Sequence, residues 1–145
     1  TGQLDEARIR AAATWPERVV IREFFTPMTA VYPLLDAIVC RAGAMTLAEL
    51  AAWGIPAVLV PFPFATADHQ TANARALERV GAAVVVPESE LSSERLEAAL
   101  GDLLEDPAAR EAMARAARRL GRPEAAAAVA DRVIAVAVGA ASEVE

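Results

Sequence analysis

The chain has 145 residues, which is room for one hydrophobic core and excludes two full domains. Its hydrophobic share of 55% against 23% charged residues excludes a disordered tail. Every basic residue is arginine, and 20 acidic against 14 basic side chains give a net charge of −6, which argues against a nucleic-acid partner.

In chain order, residues 4–13 read as helix, stopped at Trp15-Pro16, and residues 19–22 read as a short β-branched strand. Thr26-Pro27 has the form of an N-cap followed by proline at the first helical position, opening a helix through Leu35. Residues 37–40 are too short and too uniformly apolar for an amphipathic helix, so they read as a buried strand. A turn of small residues at 41–44 leads to a helix over 45–53, closed by Gly54. The next buried strand, 56–60, ends at Pro61 and Pro63, and a loop over 62–67 leads to a helix over 68–80, ended by Gly81. Residues 82–86 form the last strand.

Helices then open at Ser92, at Asp106-Pro107 and at Pro123-Glu124. The final one, 125–141, is apolar around most of its circumference and is expected to be largely covered by protein. The pattern predicts an α/β fold: a Rossmann-like parallel sheet of four strands with flanking helices over about 1–87, and a helical C-terminal tail over about 88–145.

Two segments lie between a strand end and a helix start, where open α/β sheets bind ligands. In Arg41-Ala42-Gly43-Ala44-Met45-Thr46-Leu47-Ala48-Glu49, small residues would let a phosphate approach the N–H groups of the helix end. Glu49 there suits a ribose diol. Thr46 and Glu49 also have the spacing of a capping box, which on spacing alone is the stronger reading. In the second segment Gln70 and Asn73 share one helical face, and their amides match sugar hydroxyls; the plainer reading has Asp68 as N-cap and both amides solvated. Phe24 and Phe25 would wall a heterocycle or belong to a core.

Cys40 is the one cysteine and His69 the one histidine, so neither a disulfide nor the usual zinc ligand sets can be assembled. His69 has no partner set for nucleophilic catalysis and is given no catalytic role. No apolar run is long enough to span a bilayer and no secretory signal pattern opens the chain, so the cytoplasm is the expected compartment.

Taken in order, Phe24-Phe25-Thr26-Pro27-Met28, Cys40-Arg41-Ala42-Gly43-Ala44-Met45-Thr46, Glu49, Gly54-Ile55-Pro56, Val60-Pro61-Phe62-Pro63 and His69-Gln70-Thr71-Ala72-Asn73-Ala74 resemble the MurG-type N-acetylglucosaminyltransferases of glycosyltransferase family 28. The resemblance runs from about Val19 to Gly81. It implies a two-lobed GT-B enzyme, of which this chain is an incomplete C-terminal, donor-binding lobe. It further implies that the N-terminal acceptor lobe and the Gly-Gly-Ser turn that opens the C-terminal lobe would be expected outside these residues.

By position, Phe25 would contact uracil through its backbone. Ala44, Met45 and Thr46, with Leu47 and Ala48 behind them, would line the diphosphate and sugar. Glu49 would hold the ribose, and Gln70, with Asn73, the N-acetylglucosamine hydroxyls. The implied reaction is inverting transfer from UDP-N-acetylglucosamine to the lipid-linked muramyl acceptor, lipid I to lipid II, at the cytoplasmic membrane face. It implies no cofactor, no metal and no catalytic residue in this chain, which alone would be inactive. Alternatives are a family 28 enzyme with another lipid or aglycone acceptor, and a non-catalytic donor-binding subunit of a split transferase.

The resemblance also implies that residues 19–22 do not pair with residues 38–40, because two strands of the complete lobe would lie between them. An isolated chain would then be poorly soluble or self-associated.

Overall fold

The computed structural model describes residues 3–65 and 68–142, so Thr66 and Ala67, the end of the expected second loop, lie outside the described residues. The chain divides into two compact units, Thr1–Leu35 and Asp36–Glu145.

In the first unit, helix α1 spans Gln3–Ala12, with Arg10 donating to Glu6 one turn earlier at 2.8 Å. The Trp15 indole N–H donates to the Ile9 carbonyl at 2.9 Å, folding the chain back at the helix end. Residues 19–22 do not form the expected strand. A strand needs a neighbour for its backbone, and here the Ile21 carbonyl is taken by the Arg10 guanidinium while Val19 and Val20 are exposed.

The helix expected from Thr26-Pro27 to Leu35 is also absent. Two 3-10 turns, Met28–Ala30 and Tyr32–Leu34, replace it. Pro33 has no N–H for the i−4 bond that a continuous α-helix requires. Thr26-Pro27 is a cis peptide, and no side chain caps the first turn.

The second unit is built on three parallel strands in the order β1 (Ile38–Cys40), β2 (Ala57–Leu59), β3 (Val84–Val85). Ile38 lies opposite Ala57, Cys40 opposite Leu59, and Leu59 opposite Val85. Helix α2 (Ala44–Trp53) connects β1 to β2 and helix α3 (His69–Arg79) connects β2 to β3. Gly54 ends α2 at φ +69°, where its N–H and that of Ile55 return to the last-turn carbonyls of Ala51 and Leu50. Gly81 stops the turn after α3 at φ +71°.

The central strand β2 is buried along its whole length, as its apolar run predicts. The segment expected as a buried strand at 37–40 is instead an edge, with Val39 exposed, because no described strand covers its outer side. On β3, the Val85 N–H donates to Glu78 of α3 at 3.3 Å.

Two more helices close the core. Ser92 caps α4 (Ser93–Glu105) by accepting from the Arg95 N–H, and Asp106 caps α5 (Pro107–Leu120) by accepting from Ala108 and Ala109. Ala99 and Leu103 of α4 pack on Val58 of β2 and Val86 just after β3, flanked by Leu96, Leu100 and Met113. Each fully buried valine or leucine of this kind contributes about 1.5–3 kcal/mol. Helix α5 packs on α2 and α4. The chain beyond α5 passes so close to α2 that a Cβ on Gly121 would sit 2.8 Å from the Ala51 carbonyl oxygen. Helices α4 and α5 are thus part of the lobe's core.

Helix α6 (Ala125–Ser142) overturns an expectation. Its described side chains, residues 125–139, are exposed throughout, although the sequence calls for cover. Its valines and Ile134 find no burial on this unit.

Candidate functional site

The loops after β1 and β2 emerge at the carboxyl edge of the sheet, the edge at which open parallel sheets take ligands. Gly43, in an extended conformation, is the N-cap of α2 and brings no side chain to the helix end. The first intrahelical bond runs from the Leu47 N–H to the Gly43 carbonyl at 3.0 Å. It leaves the N–H groups of Ala44, Met45 and Thr46 without an intrahelical acceptor, at the positive end of the helix dipole. A Cβ on Gly43 would meet only the Thr46 hydroxyl, at 3.9 Å, so this helix end is open.

The same geometry rules out the Thr46–Glu49 capping box. Thr46 is the third residue of α2, one turn too late to be the N-cap, and Glu49 lies in the second turn. The helix starts earlier than the spacing suggests because Gly43, which lacks a side-chain cap, supplies the bend itself. Ala44, Met45, Ala48 and Glu49 are exposed and Thr46 half-buried, whereas Leu47 is buried.

Helix α3 supplies the second wall. Asp68 occupies its N-cap but in the left-handed region, φ 51°, and its side chain does not cap, contrary to the plainer reading of this segment. Capping carboxylates ordinarily need the extended backbone. Asn73 is half-buried and, with Ala44, Leu47, Ala76 and Leu77, lines a hollow of about 200 Å³ between the first turn of α2 and α3. Gln70, three residues earlier on α3, accepts the Phe62 N–H on Oε1 at 3.0 Å. Its carbonyl end is therefore occupied, and the amide NH2 is the end it offers as a donor. The structure thus brings Ala44 and Leu47 of the first turn of α2 and Asn73 of α3 to one hollow.

Phe25 lies in the first unit, and both it and Phe24 are exposed, which removes the core reading of the pair. His69 opens α3 and is exposed. Burial pushes the Cys40 thiol up to about 11, so it is neutral near pH 7 and unsuited to nucleophilic attack. Among the described residues no group of three His, Cys, Asp or Glu side chains is placed to hold a metal, and no helix is long and apolar enough to cross a membrane.

Sequence reasoning missed Arg41. Its guanidinium donates to the Val60 and Pro61 carbonyls at 3.3 and 3.2 Å, pairs with Glu88 beyond β3, and lies 5.4 Å from the centre of the Phe62 ring. It therefore ties together the chain leaving all three strands. The available signal was a lone cation in a turn otherwise made of small residues.

The family model for the glycosyltransferase family 28 C-terminal domain matches residues 2–131. A curated relative from Alkalilimnicola ehrlichii, named UDP-N-acetylglucosamine--N-acetylmuramyl-(pentapeptide) pyrophosphoryl-undecaprenol N-acetylglucosamine transferase, is 53% identical over 112 residues, covering 77% of this chain and 31% of the relative. The crystal structure of Acinetobacter baumannii MurG superposes with a TM-score of 0.77 at 36% identity, over 90% of this chain and 40% of that one. That of the glycosyltransferase VinC in complex with dTDP gives 0.64 at 25% identity, over 79% of this chain and 29% of the other. The chain spans about a third of the length of the curated relatives it matches. With the parallel sheet, the flanking helices and the open helix end in place, the chain belongs to glycosyltransferase family 28, as the C-terminal lobe of its MurG-type members.

Proposed function

We propose that this lobe binds UDP-N-acetylglucosamine for transfer of the sugar to lipid-linked muramyl-pentapeptide, the lipid I to lipid II step of peptidoglycan synthesis. The observation that carries the reading is the open N-terminus of α2 facing Asn73 across one hollow at the carboxyl edge of the sheet. The names of the relatives supply the substrates.

In this scheme the Ala44, Met45 and Thr46 N–H groups take the donor diphosphate. They gain most as UDP departs and negative charge develops on it, which is how preorganised donors accelerate a reaction. Met45 and Ala48 stand at the exposed side of that site, and Leu47 supports it from beneath. Glu49 accepts from the ribose hydroxyls. Gln70 donates to a sugar oxygen, Asn73 contacts the sugar from the hollow, and the Phe25 backbone reads uracil.

The acceptor's 4-hydroxyl attacks the anomeric carbon, its proton leaves to a base outside this chain, and the carbon–oxygen bond to UDP breaks with inversion. An amino-terminal lobe supplies acceptor and base, and the complete enzyme works at the cytoplasmic membrane face as a peripheral protein, in cell-wall growth, shape and division. The scheme needs no cofactor or metal.

The test is turnover by the full-length protein that carries this segment. UDP-N-acetylglucosamine with a lipid I analogue should yield the disaccharide product and UDP, and added UDP should compete with the donor. Turnover of a different nucleotide sugar, with none of UDP-N-acetylglucosamine, would refute the assignment.

A further inference from the structure

Gln70 can serve a ligand only if its amide is held in one orientation, because a primary amide presents a donor on one side and an acceptor on the other. The Phe62 N–H fixes that choice by occupying Oε1. Phe62 is itself on a loop, following Val60-Pro61 and preceding Pro63. What holds the loop is Arg41, through the carbonyls of Val60 and Pro61 and through its place over the Phe62 ring. Arg41 has four rotatable side-chain bonds and is about half exposed, so it too needs an anchor. Glu88 provides it, from the 3-10 turn Glu88–Glu90 after β3.

We propose that Glu88 is a positioning residue for donor-sugar recognition, acting through Arg41 on Phe62 and so on the orientation of the Gln70 amide. The proposal rests on the donor-site reading above and adds to it a residue from a different strand end. Glu88 lies in the turn after β3 and pairs with Arg41, and no residue assigned above to the diphosphate or the ribose is its partner in that pair. Its removal should therefore loosen recognition of the sugar and leave recognition of the nucleotide intact. An exposed ion pair has a modest effect, so the change expected from Glu88 alone is small but measurable. Arg41 makes the carbonyl bonds as well, and its loss should cost more.

The experiment compares wild type, Glu88→Gln, Arg41→Ala and the double variant in the full-length protein. The readouts are the KM for UDP-N-acetylglucosamine, the inhibition constant of UDP, which has no sugar, and the thermal midpoint. Glu88→Gln should raise the KM by about three- to fivefold, with UDP inhibition within twofold of wild type and the midpoint within about 2 °C. Arg41→Ala should raise the KM by about tenfold or more, and the double variant should match it within twofold, since Glu88 acts only through Arg41.

An unchanged KM in Glu88→Gln would overturn the proposal, as would a parallel weakening of UDP or independent multiplication of the two effects. Should Arg41→Ala fail to fold, the Glu88→Gln split between UDP and the nucleotide sugar still decides. Failure of the donor-site reading shows differently: wild type itself would then neither turn over the nucleotide sugar nor be inhibited by UDP.

Discussion

Glu49→Gln separates the two roles that the sequence left competing for one carboxylate. In the structure Gly43 is the cap of α2 and Thr46 its third residue, so Thr46 and Glu49 do not stand at the positions of a capping box. The substitution is on an exposed face, and stability should change by no more than about 0.5 kcal/mol, or about 2 °C in thermal midpoint. A capping role would instead cost about 1 kcal/mol. On the ligand side, a charge-assisted hydrogen bond to the ribose is worth about 1.5–3 kcal/mol. Glutamine keeps a neutral acceptor at the same reach, so the lower end applies, and about 1.4 kcal/mol is tenfold in affinity. Initial rates of the full-length protein over a range of UDP-N-acetylglucosamine should therefore show the donor KM raised by about tenfold with an unchanged melt. Thr46→Ala serves as control and should leave the melt within the same margin. An unchanged donor KM in Glu49→Gln, with a clear fall in melting temperature, would refute the reasoning.

Gly43→Ala should raise the donor KM by about tenfold while leaving stability within about 0.5 kcal/mol, because its φ of −67° suits any residue and the added methyl occupies the phosphate approach; equal donor KM values would refute it. Gly54→Ala should lower stability by about 1–3 kcal/mol in denaturant titration, since φ is +69° and the new Cβ would lie 2.4 Å from Arg118 Cγ; Arg118→Ala in the same chain should return part of that loss. The Cys40 thiol, raised from 9.0 to about 11, should alkylate about a hundredfold more slowly at pH 8 in the folded chain than in urea. By linkage, the stability from keeping this thiol protonated is present below pH 9 and is lost as pH rises through about 11, which a series of melts in that window measures. UDP should compete with the donor far better than ADP if the Phe25 backbone reads the base.

The elements that sequence reading placed well are those whose signals are local. Gly54 and Gly81 end α2 and the turn after α3 at positive φ, and Ser92 and Asp106 cap their helices as their side chains predict. Strand β2 was legible because the four successive apolar residues Ala57–Val60 between Pro56 and Pro61 have no other use. The failures are all positions where a neighbour decides. Residues 19–22 have the composition of a strand but no strand beside them, and Val39 is exposed for want of a partner on the outer edge of β1. Residues 125–139 carry enough valine and alanine for burial on every side, yet burial is a property of two surfaces, and this unit offers one. Thr26-Pro27 has a helix-start signal, but Pro33 cannot donate the i−4 bond of a continuous α-helix, and the segment settles into two 3-10 turns.

The site divides along the same line. The α2 end was readable because its chemistry is backbone: a small-residue turn before a helix exposes N–H groups whatever surrounds it. Glu49 was ambiguous because a spacing of three fits both a capping box and a ligand contact, and only the register of the helix, set by Gly43, separates them. Arg41 and Glu88 were invisible because they are 47 residues apart and meet only when β1, β2 and β3 lie side by side. A sheet brings the ends of its strands into one row, so a long cation at the end of β1 can reach the carbonyls leaving β2 and the carboxylate leaving β3. The contacts that orient Gln70 thus come from strand order, which no local pattern encodes. A substitution at Glu88 should be felt by the sugar before it is felt by the fold.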